Sequence, residues 1–299
     1  MARVLITGVG GFTGRFLRRE LEDAGHVVFG LTSAEDRTAE RVTPCDLRDA
    51  AGLAAVIDRI EPELVAHLAA VAFVAHGDAA EIYGTNIVGT RTLLAALAAR
   101  SQRPRAVLLA SSANVYGKTA AGVITESVAP APANDYAVSK LAMENMAALW
   151  RSELPITIVR PFNYTGAGQS TNFLIPKIVD HVRRKTPTIE LGNLDVERDF
   201  SDVRMVVRVY RSLLENGAAT PGSGGVWNVC SGTGTTLREV FALASEIGKH
   251  TPEVRVNPDF VRPNEIKKLV GSKAALEAEI GPIEPIPLRE TIEWMIRGR

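Results

Sequence analysis

The chain has 299 residues, long enough for one large α/β unit or two closely joined domains, and its 46% hydrophobic content can fill a sizeable core. Lys and Arg total 34 and Asp and Glu total 34, so no global field draws the protein to nucleic acid or an anionic membrane. The two cysteines, Cys45 and Cys230, stand far apart with no metal-type spacing; no metal is expected, and both read as buried free thiols.

In chain order, Val4-Leu5-Ile6-Thr7 is a short apolar run that stops at glycine, the pattern of a buried parallel strand. Phe12 to Ala24 carries helical periodicity and ends at Gly25. A strand is expected over His26–Leu31, a helix over Ala51–Ile60 and a strand over Leu64–Leu68. An alanine-rich helix over about Asn86–Ala99, a strand over Ala106–Ala110 and a helix from Tyr136 to about Arg151 follow, and Ile156–Arg160 closes the series. Strands alternating with helices imply an α/β fold of Rossmann type, a parallel sheet wound on both faces. Beyond Arg160 glycine and proline become denser, and Thr236-Leu237-Arg238-Glu239 offers a capping box. The expected division is therefore a dinucleotide-binding domain over 1–163 and a smaller α/β substrate-binding region over 164–299. The chain is expected to return to the sheet at about 200–230. No segment has the apolar length of a membrane helix and the N-terminus enters a strand directly, so the protein reads as cytoplasmic.

Chemistry concentrates in the first domain. In Gly8-Val9-Gly10-Gly11-Phe12-Thr13-Gly14 the glycines allow a tight turn and close backbone approach, after which a helix aims its first amides at a pyrophosphate. Gly8, Gly11, Phe12, Thr13 and Gly14 are assigned to the dinucleotide. An acidic residue at the end of the second strand would favour NAD. Thr32 and Ser33 stand there instead, with Arg37 beyond, which favours NADP(H), although Glu35 and Asp36 leave NAD(H) open. Asp46, followed by Leu47, reads as an acceptor for the adenine amino group or as a helix cap. Leu68, Ala69 and Ala70 end a strand with small side chains that leave room for cofactor.

Tyr136 and Lys140 lie one helical turn apart. A tyrosine has a pKa near 10, and a neighbouring ammonium is expected to draw it down, so that the pair exchanges a proton with a carbonyl oxygen as hydride moves. Ser112, at the end of the preceding strand, would polarise the same carbonyl. These segments, with Arg160-Pro161-Phe162-Asn163, resemble the extended short-chain dehydrogenase/reductase family in order and over essentially the full chain. The resemblance implies Ser112, Tyr136 and Lys140 as the catalytic set, with Tyr136, Lys140 and Pro161 beside the nicotinamide and Asn163 at the sugar-nucleotide phosphates.

Gly192 to Phe200 and Arg262-Pro263-Asn264-Glu265 resemble the branch that dehydrates GDP-mannose or reduces GDP-4-keto-6-deoxymannose. That resemblance places Arg198 and Arg262 on the diphosphate and Glu265 on the ribose, with Ser112, Asn114 and Asn193 also on the substrate side. Dehydratases carry a glutamate where this chain has Asn114, and epimerising members carry a Cys and a His that Ala113, Asn114 and the 170–176 stretch do not supply. The implied activity is NADPH-dependent 4-reduction giving GDP-D-rhamnose. A 6-deoxytalose product, a 4-epimerase with bound NAD and a non-catalytic dinucleotide sensor are the alternatives. The alanine-rich helix and the Tyr136 helix imply a homodimer built through a four-helix bundle.

Overall fold

A computed structural model describes residues 1–33, 40–72, 78–117, 122–216, 224–260 and 267–298. The first half contains β1 (Arg3–Thr7), α1 (Phe12–Asp23), β2 (Val27–Thr32), β3 (Val42–Pro44), α2 (Ala50–Ile60) and β4 (Leu64–His67). It continues through α3 (Ala79–Tyr83), a π-helical turn (Gly84–Gly89), α4 (Thr90–Ala98), β5 (Ala106–Ala110), β6 (Val123–Ile124), α5 (Asp135–Ala148) and β7 (Ile156–Pro161). The second half runs β8 (Asn163–Thr165), α6 (Leu174–Arg183), β9 (Thr188–Leu191), β10 (Glu197–Asp202), α7 (Val203–Asn216) and β11 (Val226–Val229). It ends with β12 (Gly234–Thr236), α8 (Leu237–Gly248), β13 (Glu253–Val256), β14 (Lys268–Gly271), α9 (Ala274–Ile280) and α10 (Leu288–Arg297).

The main sheet has seven parallel strands in the order β11-β7-β5-β4-β1-β2-β3. Alternation along each strand divides its apolar side chains between two faces. Val4 and Ile6 pack with Leu17, Leu21 and the α7 residues Val206 and Tyr210. Leu5, Val65 and Val107 pack on the other face with Leu53 and Ile57 of α2, Leu93 and Leu97 of α4, and Met143 of α5. After β3 the chain crosses to the opposite side of β1 and enters β4. Strand order therefore reverses at β1, and a crevice opens at the carboxyl ends of β1 and β4, where doubly wound sheets hold ligands.

The sheet does not close at β7. β11 adds beyond it, with Trp227 in register with Val159, and α7 covers the same face as α1. A five-stranded sheet, β12-β10-β14-β6 with β8 also on β10, lies mostly in the second half, yet β6 comes from the first. A separate core joins α6, α8 and α10 through Ile178, Val182, Val240, Ala244 and Ile292. The Thr236 hydroxyl accepts from the Glu239 amide at 3.1 Å while Glu239 accepts from the Thr236 amide at 2.7 Å, a complete capping box.

Three local expectations are corrected. The alanine-rich helix begins earlier, at Ala79, because Asp78 caps it by accepting from the Ala80 amide, and it passes through the π-helical turn before α4. Asp46 does not cap α2; Asp49 does, accepting from the Gly52 amide. Cys45 is half-buried rather than buried, since it follows the edge strand β3, whereas Cys230 is buried. Among the described residues no helix is long and apolar enough to cross a membrane.

Candidate active site at the carboxyl edge of the main sheet

Gly8 has φ +72° and its amide donates to Leu31 O at 2.9 Å, so the chain turns sharply off the end of β1. A Cβ on Gly8 would lie 2.8 Å from the Ala69 nitrogen, which only glycine avoids. Gly14 is tighter still, its added Cβ falling 2.3 Å from Gly8 O. Gly11 stands at the start of α1 and supplies no side-chain cap, so the first-turn amides of this helix are left for another acceptor. A cradle without side chains that leads into an uncapped helix N-terminus suits a dinucleotide pyrophosphate. Thr13 Oγ1 and Tyr164 Oη are 2.8 Å apart, and Phe12 stacks on Tyr164 at 6.3 Å. Tyr164 is a neighbour of the site that residue patterns did not single out, although it directly follows Asn163.

Thr32 closes β2 beside the glycine turn, where a Cβ on Gly10 would sit 3.7 Å from its hydroxyl, and Ser33 is exposed just beyond. Leu47 is buried, while Asp46 is exposed and accepts side by side from Arg48, Nε to Oδ1 at 3.0 Å and Nη2 to Oδ2 at 2.8 Å. That hydrogen bonding holds the Asp46 carboxyl below its ordinary range. Leu68, Ala69 and Ala70 are half-buried past the end of β4. Arg37, with Glu35 and Asp36, lies outside the described residues, as do Arg262 and Glu265.

Tyr136 occupies the first turn of α5, a helix capped by Asn134 accepting from the Ala137 amide. Lys140 is buried, and its Nζ donates to Ala110 O at 2.7 Å while standing 5.9 Å from the Tyr136 ring centroid. Ser112, just past β5, hydrogen-bonds Tyr136 and accepts from the Asn114 amide at 3.2 Å. The strand ends thus bring Ser112, Tyr136 and Lys140 together. Their electrostatics correct the expectation of a lowered tyrosine pKa. Burial, then the neighbouring Tyr164, pushes Tyr136 up to about 12, while burial pulls Lys140 down to about 8 against the pull of Glu144. Desolvation disfavours the charged form of each, and the ammonium is engaged with a carbonyl instead of the phenol.

The substrate-side residues spread over the second sheet. Pro161 ends β7, and the exposed Asn163 of β8 donates to Asp199 O at 3.3 Å. Asn163 is in register with Phe200 of β10, two residues from the half-buried Arg198, whose Nη1 donates to Glu197 O at 2.9 Å. Asn193 folds its side chain back onto the Asp195 amide at 3.0 Å, and Asn114 is exposed near the mouth.

A second feature missed by sequence reasoning lies beneath the site. The Thr90 hydroxyl donates to Asn86 O at 2.8 Å, so His67 Nε2, also 2.8 Å from that hydroxyl, must donate to it. His67 Nδ1 then accepts from Thr7 Oγ1 at 2.7 Å. Asn86, in the π-helical turn, donates to Ser139 Oγ at 2.9 Å, and Ser139 donates to Tyr136 O at 2.8 Å. This buried chain ties β1 and β4 to the backbone of Tyr136.

A family model described as the NAD dependent epimerase/dehydratase family matches residues 4–230. A GDP-6-deoxy-D-talose 4-dehydrogenase from Aggregatibacter actinomycetemcomitans is 35% identical, covering 99% of this chain and 98% of its own length. A GDP-6-deoxy-D-mannose reductase from Pseudomonas aeruginosa is 33% identical, again over 99% of this chain and 98% of its own. The solved structure of RMD from Pseudomonas aeruginosa complexed with NADPH superposes with a TM-score of 0.86 at 32% identity, covering 100% of this chain and 98% of the other.

Two outcomes follow from this geometry. Gly14→Ala forces a Cβ against Gly8 O, so NADPH affinity measured by cofactor fluorescence falls by at least tenfold, whereas a mild effect would mean that the turn relaxes freely. His67 has its pKa pushed down to about 3, by burial first and Lys140 second, while an unfolded histidine titrates near 6.5. The unfolded chain therefore takes up a proton that the native one refuses, and stability is lost as pH falls from about 6.5. That component amounts to about 1.4 kcal/mol per pH unit, read by urea unfolding between pH 7 and 5, and is absent from His67→Gln.

Proposed function

The chain belongs to the NAD dependent epimerase/dehydratase family and is an NAD(P)-dependent oxidoreductase, and from that premise we propose that it reduces the C4 keto group of a nucleotide-linked 4-keto-6-deoxyhexose. The substrate is GDP-4-keto-6-deoxy-D-mannose and the product GDP-D-rhamnose, made in the cytoplasm as a deoxysugar precursor for surface polysaccharide. The observation that carries this reading is the convergence of Ser112, Tyr136 and Lys140 beside the glycine cradle. Full-length similarity to two proteins named for GDP-6-deoxyhexose oxidoreduction supports the substrate class.

When bound, the dinucleotide supplies the hydride. Tyr136, a neutral phenol at neutral pH, is poised to give a proton to the C4 oxygen, and Ser112 donates a hydrogen bond to that oxygen. The Lys140 ammonium offsets the phenolate left behind. Arg198, with Arg262 and Glu265, holds the diphosphate and ribose, since forked guanidinium donors match phosphate and a carboxylate accepts from hydroxyls. Thr32 and Ser33, in place of a carboxylate, favour NADPH, and the NADPH complex of a full-length relative supports that preference.

A second reading, reduction to the 6-deoxytalose, has its own support in the relative named a GDP-6-deoxy-D-talose 4-dehydrogenase. The two products differ only in which face of C4 receives the hydride. The H3–H4 coupling of the product separates them: large for rhamnose, small for 6-deoxytalose.

The exposed Val88, Val138 and Leu149, at 52%, 39% and 78% of their surface, lie on the alanine-rich helix and along α5. They support a homodimer joined through a four-helix bundle; light scattering at micromolar concentration gives twice the chain mass, and a monomer mass removes the dimer. Turnover is tested with GDP-, dTDP- and UDP-linked keto sugars against NADPH and NADH. Tyr136→Phe lowers kcat roughly a hundred- to ten-thousandfold with little change in NADPH affinity. Near-normal turnover in that variant would falsify the proton-donor role.

A further inference from the structure

Tyr136, Lys140 and Glu144 fall one turn apart on α5, so their side chains share one face of the helix. All three reach the end of β5, and each meets a different residue there. Lys140 Nζ donates to Ala110 O at 2.7 Å, the Ser111 hydroxyl donates to Glu144 Oε1, and Tyr136 is hydrogen-bonded to Ser112. Three consecutive residues of the strand end are held by three consecutive turns of one helix.

Glu144 is itself held from the other side. Arg160 of β7 donates Nε to Oε1 at 2.9 Å and Nη2 to Oε2 at 2.6 Å. Arg160 Nη1 donates to Tyr116 Oη at 3.0 Å, and Tyr116 donates to Asn228 Oδ1 at 2.7 Å. Glu144 and Arg160 are each only 6% exposed. Burying an ion pair brings little net stability, since apolar residues of similar volume commonly hold a core as well. Its position at the catalytic strand end gives it another use.

We propose that Glu144, fixed by Arg160, is a positioning residue for the reaction: it locks Ser111, and through it the Ser112 hydroxyl against Tyr136, and it provides the counter-charge to Lys140. This rests on the Ser112, Tyr136 and Lys140 reading above. The titratable groups facing this part of the site are Tyr136 and Glu144 on α5, His67 on β4, Tyr164 on β8, Arg160 on β7, Tyr210 on α7 and Tyr116 after β5, with Glu126 against Tyr116. Glu144 is the carboxylate among them that acts on Lys140. Removing its charge leaves Lys140 with neutral neighbours and the Arg160 cation, and its ammonium is lost at lower pH.

The test compares wild type, Glu144→Gln, Glu144→Asp and the double variant Glu144→Gln/Arg160→Met, with folding checked by circular dichroism. The double variant removes the stranded guanidinium in case Glu144→Gln alone does not fold. In the charge-removing variants the alkaline limb of kcat moves down by about one pH unit, so kcat at pH 8 falls roughly fourfold more than at pH 6.5. KM for the keto sugar stays within about twofold, and Glu144→Asp returns the limb toward its original position. A folded charge-removing variant whose alkaline limb coincides with wild type overturns the proposal, whatever its loss of thermal stability. If wild type reduces no sugar in the panel, the substrate reading fails by itself. The same limb is then read in NADPH binding by fluorescence, where a limb displaced in the charge-removing variants supports the inference and an unmoved one overturns it.

Discussion

The active edge of this protein depends on burying a lysine ammonium at the end of a β-strand. Lys140 stays inside because Ala110 O accepts a hydrogen bond from its ammonium and the Glu144 carboxylate lies one turn along the same helix. An unpaired buried charge costs several kcal/mol or neutralises itself, so α5 can dock on β5 in only one register. That register also presents Tyr136 to Ser112. The helix, the strand end and the acid–base chemistry are thus set by one polar contact surface.

The burial that fixes the geometry also sets the protonation states. A phenol raised to about 12 beside an amine lowered to about 8 is a proton donor next to a cation at neutral pH. Both shifts come from desolvation instead of from a through-space pull of lysine on tyrosine. Below the pair, the chain from Thr7 through His67, Thr90, Asn86 and Ser139 satisfies every step without adding a charge, since His67 is kept neutral. It links the strand that opens the glycine turn to the helix that carries the acid.

The two halves are joined through chain exchange more than through a surface contact. β11 and α7 come from the second half and complete the main sheet and its covering layer, whereas β6 passes from the first half into the smaller sheet. Asp199, fully buried on β10, accepts from the amides of Ser231, Gly232 and Gly271 and from the Ser231 hydroxyl. It therefore ties Arg198's strand both to the segment leaving the main sheet and to β14. The residues proposed to meet substrate are held against the edge proposed for the cofactor by covalent continuity and by this one carboxylate.

What the sequence determined by itself was local. The run Val4 to Thr7 ending at Gly8, the helical spacing from Phe12, the Thr236–Glu239 cap and the Tyr136–Lys140 interval each depend on neighbours within a turn or a strand, where chain geometry dictates the outcome. Ser112 was reachable because strand alternation placed it at the same edge. The tertiary structure decided everything that required partners far apart in the chain. The direction of the Tyr136 shift depends on burial and then on Tyr164, the tautomer of His67 on Thr7 and Thr90, and the Glu144–Arg160 pair on the adjacency of α5 and β7. Asp46 and Asp49 are both plausible caps by spacing, and only the backbone path shows that Asp49 meets an amide of α2 while Asp46 accepts from the Arg48 amide before it. Periodicity records which face of an element is apolar, but desolvation and hydrogen-bond partnership are properties of the packed site and arise only when distant segments meet.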